Sequence, residues 1–248
     1  MLWKILCIPI VFLSGIRRLL PGLVSGLYLQ SSVGCSVRFT RRQSEGAQCK
    51  RYSPSQTLPS YLYTMIRSLA TVTLQLSGVL SFAWAMHYQV YRIEMPEKLS
   101  ANRNKFGGVW KYLTFLNMLL QFIFFTIALL SNVIKSLRGV RDLVFASAAF
   151  PIGMFVGIIF WSIWAVDREL IFPKVLDQYF PAILNHLMHT TVIPLQLGQL
   201  LLVKHNFPSR SKGFTITAIL CLGYLVWINY IYYMTGFWVY PVIKVKDL

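Results

Sequence analysis

The chain has 248 residues, of which 56% are hydrophobic and 13% charged, and its formal net charge is +16. A soluble domain of this length needs roughly twice that charged fraction to cover its surface. A nucleic-acid binder would account for the charge, but not for an apolar excess that leaves too little wettable face to display it.

Residues 1–64 come first and read as a basic, Ser-rich and poorly ordered N-terminal extension. They hold eight Lys and Arg, one acid (Glu45), nine Ser and three of the four Cys. Met1–Ile16, with Lys4 ahead of an apolar run, resembles a signal h-region too short to span a bilayer. The Arg- and Ser-rich, acid-poor stretch after it resembles a transit peptide. The preferred reading is plainer: an upstream extension, with Met65 as the ordinary start of the membrane protein. Cys7, Cys35 and Cys49 lack metal-ligand spacing, and Cys221 falls in an apolar block, so no disulfide framework emerges.

Five apolar blocks follow: Leu69–Val90, Tyr112–Ile134, Leu143–Val166, Pro181–Val203 and Phe214–Trp238, none containing Asp, Glu, Lys or Arg. A spanning helix needs about 20 apolar residues. A soluble helix would show a polar stripe at helical period, and the block Tyr112–Ile134 reads as apolar on every face. Membrane β-strands would be about ten residues long and alternating. The expected fold is all-α, a polytopic transmembrane bundle of five spans within residues 65–248, integral to the plasma membrane or an endomembrane. Short charged connections make neighbouring spans antiparallel. From Arg67 onward, seven Lys and Arg fall on one face of the membrane and nine on the other. That margin is too small for the positive-inside rule to set orientation.

Ionisable groups inside a membrane are costly and are functional candidates by default. Here they are His87, His186 and His189, while His205 lies in a loop. Asn185-His186-Leu187-Met188-His189-Thr190 is the most polar patch in any block. These histidines read either as interhelical hydrogen-bonding groups or as a general base. A metal site would need a third ligand, from His87 or the loop acids, and no HExxH pattern is present. A base needs a nucleophile, and no GxSxG is present. The blocks holding Thr114 and His189 begin on the same face of the membrane, at depths of roughly 3 and 12 Å by helical rise. The two side chains can therefore meet near the boundary. A membrane Thr more often bonds a preceding carbonyl than attacks a substrate, so spacing alone leaves both roles open.

Around these residues the chain resembles a known family, that of the androgen-induced protein and the androgen-dependent regulator of tissue factor pathway inhibitor. The matching stretches are Phe106-Gly107-Gly108-Val109-Trp110-Lys111-Tyr112-Leu113-Thr114-Phe115, Ala149-Phe150-Pro151, Asp167–Asp177, Leu184–Thr190, Phe207–Gly213 and Thr235–Pro241. The resemblance implies an integral membrane hydrolase of fatty acid esters of hydroxy fatty acids. It implies Thr114 as nucleophile and His189 as base, and it favours His189 over His186. Asn117, Asn185, His186 and Asp167 are candidates for an oxyanion or orienting role. No cofactor or metal is expected, and the expected partners are the bilayer and the ester substrate, not nucleic acid. The alternative is a non-catalytic membrane regulator or an inactive truncated isoform. Two features depart from the family pattern: the leader of 64 residues, and an end at Leu248 where family members run on into a sixth span.

Overall fold

A computed structural model describes residues 57–96 and 105–240, with the side chains of residues 57–59 outside the description. Most of the leader, residues 1–56, and the last residues, 241–248, lie outside the described residues. Every regular element among the described residues is helical. Helix α1 is Thr57–Tyr91, so it begins within the stretch assigned to the leader. A 3-10 turn, Gly108–Lys111, leads into α2, Leu113–Leu130. Helix α3, Leu137–Val144, continues through a π-helical turn, Phe145–Ala149, into α4, Phe150–Asp167. The short helices α5, Ala182–His189, and α6, Val192–Leu202, precede α7, Arg210–Thr235.

Among the described residues, four stretches form helices long and apolar enough to span a bilayer: 60–91, 113–130, 137–170 and 210–235. The fold is a helical membrane bundle. The expectation of five uninterrupted spans needs one correction, because the block Pro181–Val203 is broken into α5 and α6 at Thr190 and Thr191. Pro194 explains the break. It has no N–H for the Thr190 carbonyl and its ring crowds that carbonyl, which a helix tolerates only in its first turn. The chain ends α5 with the N–H groups of Thr190 and Thr191 both donating to His186 O, at 2.8 and 2.9 Å.

The bundle interior is only partly apolar. Phe82, Phe124, Phe125, Phe145, Met118 and Leu184 form a buried core shared by α1, α2, α5 and the π turn. Beside it run linked amides, buried at Gln75, Gln121, Gln196 and Gln199 and reaching the exposed Asn132. Asn132 Nδ2 donates to Gln75 Oε1 at 2.6 Å, and Gln75 Nε2 to Gln199 Oε1 at 3.2 Å. Gln196 Nε2 donates to Gln121 Oε1, and Gln121 Nε2 to Ala149 O at 2.8 Å. The block Tyr112–Ile134 is therefore not apolar all round. Thr114, Asn117 and Gln121 recur at the spacing of one helix face, and that face turns inward. In lipid such side chains are placed where partners exist. The π turn supplies some of these partners. Pro151 cannot donate to Ser147 O, and Thr217 Oγ1 from α7 lies 2.6 Å from that carbonyl.

On the membrane face opposite the start of α2, a second polar cluster closes the bundle. Asp142, 2% exposed, accepts from Arg141 at 2.9 Å, His205 Nδ1 at 2.8 Å and Asn206 N at 3.0 Å. The His205 ring stacks on Phe145 with centroids 4.1 Å apart. Burial pulls the His205 pKa below its ordinary value, against the opposing pull of Asp142. The folded state thus resists protonation that the unfolded chain accepts at a pKa of about 6.5. Stability is then full above that pH and lost as pH falls through it. Melting temperature should be level above about pH 7 and decline below about pH 6.5. His205→Gln should flatten that decline, and an unchanged slope in this variant would rule out His205 as its source.

Candidate active site

The first turn of α2 is held by its surroundings. Gly107 adopts φ +88° and Gly108 φ +50°, the left-handed region that favours glycine. A Cβ on Gly107 would also come within 2.5 Å of Ile231 Cδ1. This double turn brings the chain into α2 tightly against α7. The first amide of α2, Leu113 N–H, is caught by two tyrosine hydroxyls, Tyr240 at 2.9 Å and Tyr224 at 3.1 Å. Tyr224 OH in turn donates to Lys111 O at 3.0 Å. Helix N-termini leave such amides without intrahelical partners, and here α7 and the segment after it provide them. Lys111 is buried in this corner, and burial together with the nearby Lys105 charge lowers its pKa to about 8.

Thr114, the second residue of α2, is half-buried and faces α5. Its Oγ1 lies 3.3 Å from His189 Nε2. The other ring nitrogen, Nδ1, lies 2.9 Å from Asn185 Oδ1 and 3.1 Å from the Asn185 carbonyl oxygen. A carbonyl can only accept, so Nδ1 carries the proton and Nε2 presents its lone pair to the Thr114 hydroxyl. The imidazole is 3% exposed and lies flat on Phe160, with centroids 3.5 Å apart and planes 6° from parallel. Gly157, one turn before Phe160 on α4, permits the close approach. A Cβ there would lie 2.7 Å from His189 O. Gly153 and Gly157 form a small-xxx-small stripe, a pattern that lets membrane helices approach closely.

The remaining expected residues divide. Asn185 orients His189. Asn117 sits one turn beyond Thr114 on the inward face of α2, 1% exposed. His186 and Asp167 lie elsewhere. His186 is exposed, stacks on Trp161 and bonds Thr190 Oγ1 at 3.0 Å, and so does not share the buried setting of His189. The Asp167 carboxylate accepts from Glu169 N at 3.0 Å and caps a 3-10 turn. Asp177 pairs with Arg168 at 2.6 Å, and Glu169 accepts from Lys174 N at 3.1 Å. These loop acids satisfy one another's loops and stay clear of the imidazole. His87 is exposed on α1 beside Tyr91. Among the described residues no three His, Cys, Asp or Glu side chains gather closely enough to hold a metal.

Sequence reading missed Phe160, Gly157, Tyr224 and the capping role of Tyr240. The glycine pair spaced by four was visible in it. The aromatic stack and the tyrosine caps join distant segments and leave no local pattern.

The family described as FAR-17a/AIG1-like protein matches residues 70–247, a stretch that holds every residue of this site. The chain belongs to that family. The human androgen-induced gene 1 protein is 39% identical over 168 residues, covering 61% of this chain and 68% of its own length. The human androgen-dependent TFPI-regulating protein is 39% identical over 176 residues, covering 66% and 75% respectively. A Schizosaccharomyces pombe membrane protein is 27% identical over 154 residues, covering 59% and 67%. No solved structure matches the chain. The apolar helices and this membrane-protein relative together make it a multi-pass membrane protein of the FAR-17a/AIG1-like family.

Proposed function

We propose that the chain is a lipid-ester hydrolase in which Thr114 is the nucleophile and His189 the base, acting on fatty acid esters of hydroxy fatty acids. One observation carries the reading. A hydroxyl, an imidazole and a fixed acceptor stand in line, with Thr114 Oγ1 3.3 Å from His189 Nε2 and Nδ1 2.9 Å from Asn185 Oδ1. A nucleophile within reach of a base that a third group orients is the arrangement covalent acyl transfer requires.

In the first half-reaction the Thr114 hydroxyl proton passes to His189 Nε2 as Oγ bonds to the ester carbonyl carbon. The tetrahedral oxyanion collapses and the ester C–O bond breaks. The departing alkoxide takes the proton from Nε2 and leaves as the hydroxy fatty acid. In the second, water gives a proton to Nε2 and adds to the acyl carbon. Collapse then frees the fatty acid, and the proton returns to Thr114 Oγ. Asn185 keeps Nδ1 protonated throughout, so Nε2 is the nitrogen that exchanges protons. The site begins at the membrane boundary, one residue into α2, which suits an ester that reaches it from the bilayer.

A fluorophosphonate activity probe tests the reading. The chain in membranes should be labelled, and Thr114→Ala, at equal expression, should not be. Labelling that survives Thr114→Ala removes Thr114 as the nucleophile. A wild-type chain that is neither labelled nor active on the ester favours a non-catalytic membrane regulator.

A further inference from the structure

We infer that the Asn117 side-chain amide is the oxyanion donor of this site, an assignment that rests on the reading of Thr114 as nucleophile. The mechanism needs a donor aimed at the carbonyl oxygen as it becomes negative. Asn185 is committed to the imidazole, and His186 and Asp167 face elsewhere. Asn117 lies three residues after Thr114, and side chains at that spacing are neighbours on one helix face. Helical side chains lean toward the N-terminus, so the Asn117 amide reaches back over the turn that carries Thr114.

Its orientation follows from its neighbours. Ala149 O is a carbonyl and only accepts, so Gln121, 2.8 Å away, must present its NH2 there. Gln121 Oε1 is engaged from the other side by Gln196 Nε2. The same Gln121 NH2 lies 3.0 Å from Asn117 and can only donate, which obliges Asn117 to turn its oxygen toward Gln121. The Asn117 NH2 is thereby left pointing away from the amide chain. Asn117 Nδ2 is buried and has no hydrogen-bond partner.

Buried amide donors are almost always paired, because an unpaired one loses its hydration with nothing in return. A donor held unpaired by a rigid network, one turn from a nucleophile, is preorganised for charge that exists only during reaction. Such a donor costs no reorganisation when the oxyanion forms, and removing one typically lowers kcat about 10²- to 10³-fold. Thr114 also lies in the first turn of α2, where the helix dipole favours the same negative charge.

The test uses the full chain in membranes and a long-chain acyl ester of hydroxystearic acid. Asn117→Ala and Asn117→Leu should each lower kcat about 10²- to 10³-fold with KM within about threefold of wild type. Asn117→Leu deletes the unpaired donor and one acceptor of Gln121, whose NH2 keeps Ala149 O, and should melt no lower than wild type. A kcat within threefold of wild type in both variants overturns the assignment. So does a lowered melting temperature in both, since the amide would then be structural. An inactive wild-type chain, or an active Thr114→Ala, would instead defeat the hydrolase reading itself.

Discussion

On the proposed mechanism, replacing His189 with alanine should lower ester turnover about 10²- to 10⁴-fold while leaving Thr114 in place. A threonine hydroxyl is a poor nucleophile unless a base takes its proton as it attacks, and His189 Nε2 is the base within hydrogen-bond reach of Oγ1. The size of the loss separates this residue from its neighbours. Asn185→Ala should cost less, on the order of tenfold, because the backbone carbonyl of residue 185 still accepts from Nδ1 at 3.1 Å. The double variant His189→Ala/Asn185→Ala should be no slower than His189→Ala alone, since an orienting group has nothing left to orient. His186→Ala should stay within about threefold of wild type, because that ring is exposed and turned toward Trp161. Steady-state kinetics on the four variants, beside probe labelling, measures the whole series. Equal losses for His186→Ala and His189→Ala would undo the assignment of the base.

Why the pair Thr114 and His189 was legible, and its support was not, follows from the range of the forces involved. The spanning blocks announce themselves because lipid imposes a composition on about 20 consecutive residues at a time. Alternation of the spans then puts Thr114 and His189 on one face without reference to any distant contact, and family resemblance singles them out. The break between α5 and α6 was also in the sequence, in Pro194, but a proline inside an apolar block reads as tolerable until the Thr190 carbonyl is placed. The inward polar face of α2 was overlooked for a different reason. Gln121 carries no charge, so attention to ionisable groups passes over it, although a buried amide left without partners costs roughly 2–7 kcal/mol. The loop acids misled in the opposite sense. Asp167 is near in sequence to Phe160 and on the correct side of the membrane, yet a carboxylate one residue before a 3-10 turn satisfies that turn's amides first. Tyr240 acts on Leu113 across 127 positions of sequence, and no periodicity encodes a contact of that kind.

Gly157→Ala carries the second large effect, and its sign is the informative part. In an exposed helix interior, replacing Gly with Ala stabilises by roughly 0.5–1 kcal/mol, because the flexible backbone is restrained in the unfolded state. Gly139 and Gly223 satisfy that condition, for a Cβ on either meets no atom within 4 Å. At Gly157 the added Cβ would lie 2.7 Å from His189 O and 2.9 Å from two carbons of Ile193. The carbonyl belongs to backbone and cannot rotate away as a side-chain tip would, so α4 and α5 must move apart. The residue displaced is the one whose imidazole has to reach Thr114. Overpacking should cost about 1–3 kcal/mol of stability, and a displacement approaching 1 Å at a catalytic group costs about 10²-fold in rate. Gly157→Ala should therefore melt below wild type and turn over ester about 10²-fold more slowly, although it touches neither the nucleophile nor the substrate. Gly139→Ala, measured beside it, should melt at or above wild type with full activity. If Gly157→Ala behaved like Gly139→Ala, the α4–α5 contact would not be what positions His189, and the stacking of its ring on Phe160 would have to do so alone.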